Sequence, residues 1–218
     1  MHRSSARTAV ALWVVLAAGC GARTPEPTTP SPPAPRSVAP GELRTPADFA
    51  DITDPVERSR VLFLEAARVF MHPRCVNCHP DGDVPHQGLR LALHEPPVVR
   101  GPHDEGVAGM PCSGCHPDAN QPLTRVPGAP KWALAPREMA WIGKSAGHIC
   151  EQIKDPKRNH GKSLAEIVEQ SAHDALVAWG WSPGADREPA PGTQAQFGAL
   201  VSAWVETGAA CPPQEASR

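Results

Sequence analysis

Cys75-Val76-Asn77-Cys78-His79 and Cys112-Ser113-Gly114-Cys115-His116 are two copies of one five-residue pattern, C-x-x-C-H, in a chain of 218 residues. The spacing carries chemistry. Two thiols on one tight turn can each bond one of the two vinyl groups of a haem, and the imidazole that follows projects towards its iron. The pattern reads as covalent haem attachment. Cys75, Cys78, Cys112 and Cys115 are the expected thioether positions, and His79 and His116 the expected proximal iron ligands. Two covalently bound haem c groups are the cofactors implied.

Three other readings of paired cysteines compete. A zinc site needs four sulfurs brought together and gives no reason for a histidine after both pairs. A thioredoxin-like redox pair needs a βαβ context, which the sequence does not offer. A disulfide within C-x-x-C is strained and rare as a staple. Cys150 and Cys211 remain, and in an oxidising compartment they are expected to form a disulfide.

The compartment is read from the N-terminus. His2, Arg3 and Arg7 precede the apolar run Ala9 to Ala18, too short to span a bilayer but of signal-peptide length. It ends at Ala17-Ala18-Gly19-Cys20, which resembles a bacterial lipobox with Cys20 as the lipidated residue. Residues 1–19 are thus expected to be a lipoprotein-type signal peptide, and 20–44 a Pro-rich tether that favours extended backbone. The expected localisation is exported: periplasmic and held to a membrane by a lipid anchor. Residues 45–213 should form the folded domain and 214–218 a tail.

Composition bounds the partners and the core. Lys plus Arg is 21 against 23 for Asp plus Glu, and loss of Arg3 and Arg7 with the signal leaves the body mildly acidic, so nucleic acid is not an expected partner. With 27 Pro and 18 Gly the body should be loop-rich, with short helices and a thin core in need of a staple. Helix signals mark 56–70, a short piece at 136–142, 146–154 capped by Ser145, one opened by Ser163, a short one after Asp174, and 194–207 capped by Thr193. On 56–70 the expected apolar side is Val61, Leu62, Leu64, Ala66 and Val69. No alternating pair flanks a hairpin turn. The expected fold is mostly α: a loop-rich, cytochrome c-like dihaem domain with little or no sheet.

The sixth iron ligands decide function, because Met in place of a second His raises the potential. Met139, downstream of the second motif among Pro and Trp neighbours, is the candidate distal ligand for one iron. His94, between the motifs, is the candidate for the other, and His173 on a C-terminal helix is the rival for either. Trp132, Trp141, Trp179, Trp181 and Trp204 all follow the second motif and could wall a haem or simply pack.

The chain also resembles a group of small exported haem proteins labelled isoquinoline 1-oxidoreductase subunits. The matching pieces are His72-Pro73-Arg74 with the first motif and Pro80, Val99-Arg100-Gly101-Pro102, the second motif with Asp118-Ala119-Asn120, and Pro127-Gly128-Ala129-Pro130. Leu134-Ala135-Pro136 through Met139-Ala140-Trp141, Lys154-Asp155-Pro156, Trp179-Gly180-Trp181 and Pro191-Gly192-Thr193 continue the string across most of 56–212. The resemblance implies an electron acceptor for a molybdenum hydroxylase. The chain has neither ferredoxin cysteine spacing nor the length for a molybdopterin domain, so it would be an outlet for electrons. The expected function is therefore electron transfer with a redox protein partner. The alternative is a dihaem peroxidase-like enzyme with one open iron site, for which His103, Asp104 and Glu105 could supply acid and base groups. A haem-containing sensor ranks behind both.

Overall fold

Asp54-Pro55 starts the first long helix for a local reason. The Asp54 carboxylate accepts from the Glu57 N–H, and Pro55 fills a first-turn position where no backbone donor is needed. This helix, α1, runs Pro55–Phe70. The computed structural model describes residues 39, 41–184 and 186–214. Residues 1–19, Cys20, most of the tether and 215–218 lie outside the described residues. Helix outweighs strand among the described residues, 38% against 6%, so the domain is mostly α.

The other α-helices are α2 (Pro73–Val76), α3 (Ala146–Lys154), α4 (Leu164–His173), α5 (Ala175–Ala178) and α6 (Gln194–Glu206). Their starts follow side-chain chemistry. Ser145, Asp174 and Thr193 each accept from a backbone N–H three residues on, and Ser163 with Glu166 and Thr193 with Gln196 form capping boxes. The piece expected at 136–142 is one 3-10 turn, Arg137–Met139, and further 3-10 turns span Pro46–Phe49 and Cys112–Gly114. Two ribbons of two-residue strands are also present. β1 (His86–Gln87) pairs antiparallel with β2 (Ala92–Leu93), and β3 (Gly106–Val107) with β4 (Met110–Pro111). Strands this short bury no face, so they leave no alternation to read in the sequence. Among the described residues no helix is long and apolar enough to cross a membrane.

The core sits where α6 packs on both α1 and α4. Phe63, Phe70, Phe197 and Trp204 form its aromatic centre, with Phe70–Phe197 ring centres 4.8 Å apart and Phe63–Trp204 5.0 Å. Gly198 of α6 lies against α4, since a Cβ there would come within 2.6 Å of the Ala172 Cβ. The buried face of α1 differs from the expected one. Leu64 is 47% exposed, while Ser59 and Glu65 are inside. Ser59 donates to the Trp204 carbonyl and accepts from the Ala210 N–H. The folded body also begins earlier than residue 45, because Leu43 is buried in the core and Arg44 pairs with Glu65.

Cys150 of α3 is bonded to Cys211, which follows α6, with a sequence separation of 61. The bond ties the C-terminal segment across the helices, where the Pro212 and Pro213 carbonyls close on Gly147. Replacing both cysteines by Ala is expected to cost roughly 2–5 kcal/mol. A denaturant midpoint unchanged from the parent would count against this.

Candidate functional site

The first motif is set by the end of α1. His72 breaks the helix and caps α2, its Nδ1 accepting from the Arg74 N–H, and Pro73 opens the next turn. Cys75 donates its N–H to the His72 carbonyl, Cys78 to Cys75 and His79 to Val76, so the motif winds as one tight turn. A strap then lies against it. The Ala135 N–H reaches the Cys78 carbonyl at 2.9 Å, and the Trp141 N–H reaches that of His79 at 3.0 Å. The His79 Nδ1 lies 2.8 Å from the Met139 carbonyl oxygen. A carbonyl only accepts, so Nδ1 carries the proton and Nε2 keeps a free lone pair. One face of the ring stacks on Trp141, centres 3.3 Å apart and 8° from parallel. Burial lowers the His79 pKa to about 3, against the pull of the Met139 carbonyl, so the imidazole stays neutral at physiological pH.

The second motif follows the β3–β4 ribbon and repeats the device. The Cys112 N–H reaches the Glu105 carbonyl at 2.8 Å, and the Cys115 and His116 N–H groups both reach that of Cys112. The His116 Nδ1 lies 2.8 Å from the Pro127 carbonyl oxygen, and its ring stacks on Trp132, centres 4.5 Å apart and 5° from parallel. Burial lowers its pKa as well. The loop that returns Pro127 is tight: a Cβ on Gly128 would stand 2.2 Å from the Pro117 carbonyl oxygen. Asn120 holds that loop by accepting from the Gly128 N–H and the Trp179 Nε1–H, and by donating to the Ser182 carbonyl.

Arg100 clasps the two motifs together. It is 4% exposed. Its guanidinium donates to the Asp104 carboxylate and the carbonyls of Ala135 and Gly82, and its N–H to the Asp83 carbonyl. One side chain thereby joins the loop after the first motif, the loop before the second and the strap behind His79. Nothing in the sequence marks this role except the Val99-Arg100-Gly101-Pro102 string.

Cys75, Cys78 and His79 open into a cavity of about 380 Å³. Phe70, Ile153, Ile167 and Phe197 wall it from the core, and Trp132 and Trp179 from the second site. No protein-family model, curated protein or solved structure matches this chain. What the two sites can do follows from their own chemistry. All four motif cysteines are free thiols, and burial raises Cys75 to about 12 and Cys78 to about 11. Among the described residues no three or more His, Cys, Asp or Glu side chains converge on one point. A large apolar group held by two thiols and one imidazole fits the cavity. The volume lies within the usual range of roughly 300–1,000 Å³ for ligand sites. Trp141 Nε1, on the cavity lining, is a buried donor with no protein acceptor. A haem brings carboxylate acceptors that could meet it.

The candidate distal ligands fall unevenly. Met139 is buried, and its own carbonyl stands behind His79 on the side away from Nε2. Met139 also lines the cavity that His79 opens into. His173 departs from expectation. Its side chain is 69% exposed and lies 4.0 Å from Glu169, one turn back on α4, with no place on the cavity wall. His94 stands beside His116, ring centres 5.9 Å apart. His103 and Asp104 do line the cavity, but Asp104 is engaged by Arg100.

Proposed function

We propose that the protein is an exported dihaem c-type cytochrome that transfers electrons, with a cytochrome c-like arrangement of short helices around its cofactors. The observation that carries the reading is the doubled imidazole device. Two C-x-x-C-H histidines each give Nδ1–H to a backbone carbonyl and a ring face to an indole, leaving Nε2 bare. Metal-ligating histidines are commonly oriented in this way, because the second-shell bond fixes the tautomer and raises the basicity of the ligating nitrogen.

Each haem, when bound, supplies an iron that accepts and releases one electron. The chain's own residues do the rest. Cys75 and Cys78, and Cys112 and Cys115, would hold the groups by thioethers, each thiol adding its sulfur to one carbon of a vinyl group and its hydrogen to the other. His79 and His116 offer Nε2. The aromatic and aliphatic side chains of the first cavity would cover the apolar faces of such a group. On the resemblance above, the redox partner is a molybdenum hydroxylase for which this chain is the electron outlet. Lipidation at Cys20 would hold it to a membrane on the periplasmic side.

The test is intact mass and visible spectroscopy of protein made with cytochrome c maturation factors. Two covalent haem additions and low-spin spectra are expected. One addition would remove a motif from the reading. A high-spin iron that turns over peroxide would move the protein to the peroxidase-like alternative.

A further inference from the structure

We infer that His94 and His116 are paired axial ligands, two opposed imidazoles that take the second iron between them. The inference rests on the dihaem reading above and deepens it at one site.

His94 is delivered by the first ribbon. β1 and β2 pair His86 with Leu93, and the His94 N–H reaches the Pro85 carbonyl at 3.0 Å, which continues the ladder by one bond. The His94 Nδ1 lies 2.9 Å from the Pro96 carbonyl oxygen. As at His116, a carbonyl partner requires a proton on Nδ1, which makes Nε2 the nitrogen available to a metal. The two rings are thus anchored in the same way, each from behind by the backbone.

Their spacing is close to that set by a shared metal. An imidazole nitrogen binds a metal at about 2.0–2.1 Å and lies about 1.1–1.2 Å from its ring centre, so two opposed ligands sit about 6.2–6.6 Å apart, centre to centre, a few tenths of an ångström more than the two rings stand here. The observed separation is 5.9 Å, with the ring planes at 68°. Edge contact between aromatic rings covers the same range. His79 has no such counterpart: its one ring contact among the described residues is Trp141. The ligation of the two irons is thus expected to differ.

Crossed ring planes have a spectroscopic consequence. Parallel imidazoles split the iron orbitals that point between them, and nearly perpendicular ones cancel that splitting, which spreads the low-spin resonance to a large maximum g value. The experiment uses the protein with two haems verified by intact mass. Near-infrared magnetic circular dichroism should show one bis-imidazole iron, and electron paramagnetic resonance a strongly anisotropic low-spin signal. In His94→Ala, with both haems still attached, that signal should disappear in favour of one full equivalent of high-spin iron. Added imidazole should restore it, and His173→Ala, at an exposed position off the cavity wall, should leave it unchanged. A His94→Ala protein that keeps two haems and the parent low-spin signals would overturn the inference. So would a parent protein with no bis-imidazole band, which needs no variant to fold. Fewer than two haems in the parent would instead sink the dihaem reading itself, and the mass measurement tells the two failures apart.

Discussion

A Cys75→Ser/Cys78→Ser variant is expected to lose its cooperative fold, whereas Cys112→Ser/Cys115→Ser is expected to lose a cofactor and remain folded. The two motifs are alike in sequence and unlike in burial. The first opens into a cavity of about 380 Å³ whose walls include core residues of α1, α3, α4 and α6. Left empty, such a space costs about 24 cal/mol per Å³, a ceiling of roughly 9 kcal/mol. That ceiling is comparable with the whole stability of a small domain, about 5–15 kcal/mol. Water entering past the exposed His103 and His160 would reduce the cost without rebuilding the missing contacts. At the second motif Cys115 is exposed, and none of its cysteines lines that cavity. Far-ultraviolet circular dichroism melts of both variants decide it. Equal melting temperatures would mean that the first cofactor does not organise the core.

Helix starts were legible because each cap is a local contract between a side chain and a backbone donor three residues on. Asp54, Ser145, Ser163, Asp174 and Thr193 all meet it. The buried side of α1 was only half legible. Hydropathy places Leu64 inside and Glu65 outside, but Glu65 is buried because cations from Arg44 and Arg68 come to meet it, and Arg44 lies outside any local window. The site shows the same divide. The thiols and imidazoles are written in C-x-x-C-H. The carbonyls of Met139 and Pro127 that fix those imidazoles have no side-chain signature. Met139 drew attention for its sulfur, and it is the backbone of that residue that faces His79. His94 was visible as a histidine between the motifs, but its distance to His116 depends on a ribbon too short to predict.

Glu65→Ala is expected to destabilise the protein by about 3–5 kcal/mol, the usual cost of breaking a buried pair from one side. Glu65 is 1% exposed and does three things at once. Its Oε1 accepts from the Arg44 N–H at 3.0 Å and from Arg68 at 2.7 Å, and its Oε2 from the Arg44 Nε at 2.8 Å. It therefore pins the segment that precedes the Pro46–Phe49 turn onto α1, where the Arg44 guanidinium also covers the Phe49 ring at 4.7 Å. Burial alone would raise the carboxyl pKa. The Arg44 N–H and the two guanidiniums outweigh it and hold the pKa below the usual value. A depressed folded pKa fixes the sign of the pH dependence. The contribution is complete above the unfolded Glu value of about 4.3 and fades as pH falls through the lower folded one. Wild-type stability should therefore fall in that acid window more steeply than that of Glu65→Gln, which cannot titrate there. At neutral pH the Gln variant should be the weaker of the two, because an amide loses the charge that both guanidiniums face. If denaturant midpoints of the two proteins run parallel from pH 7 down to pH 3, the carboxylate is a bystander, and another contact must hold the 41–49 segment on α1.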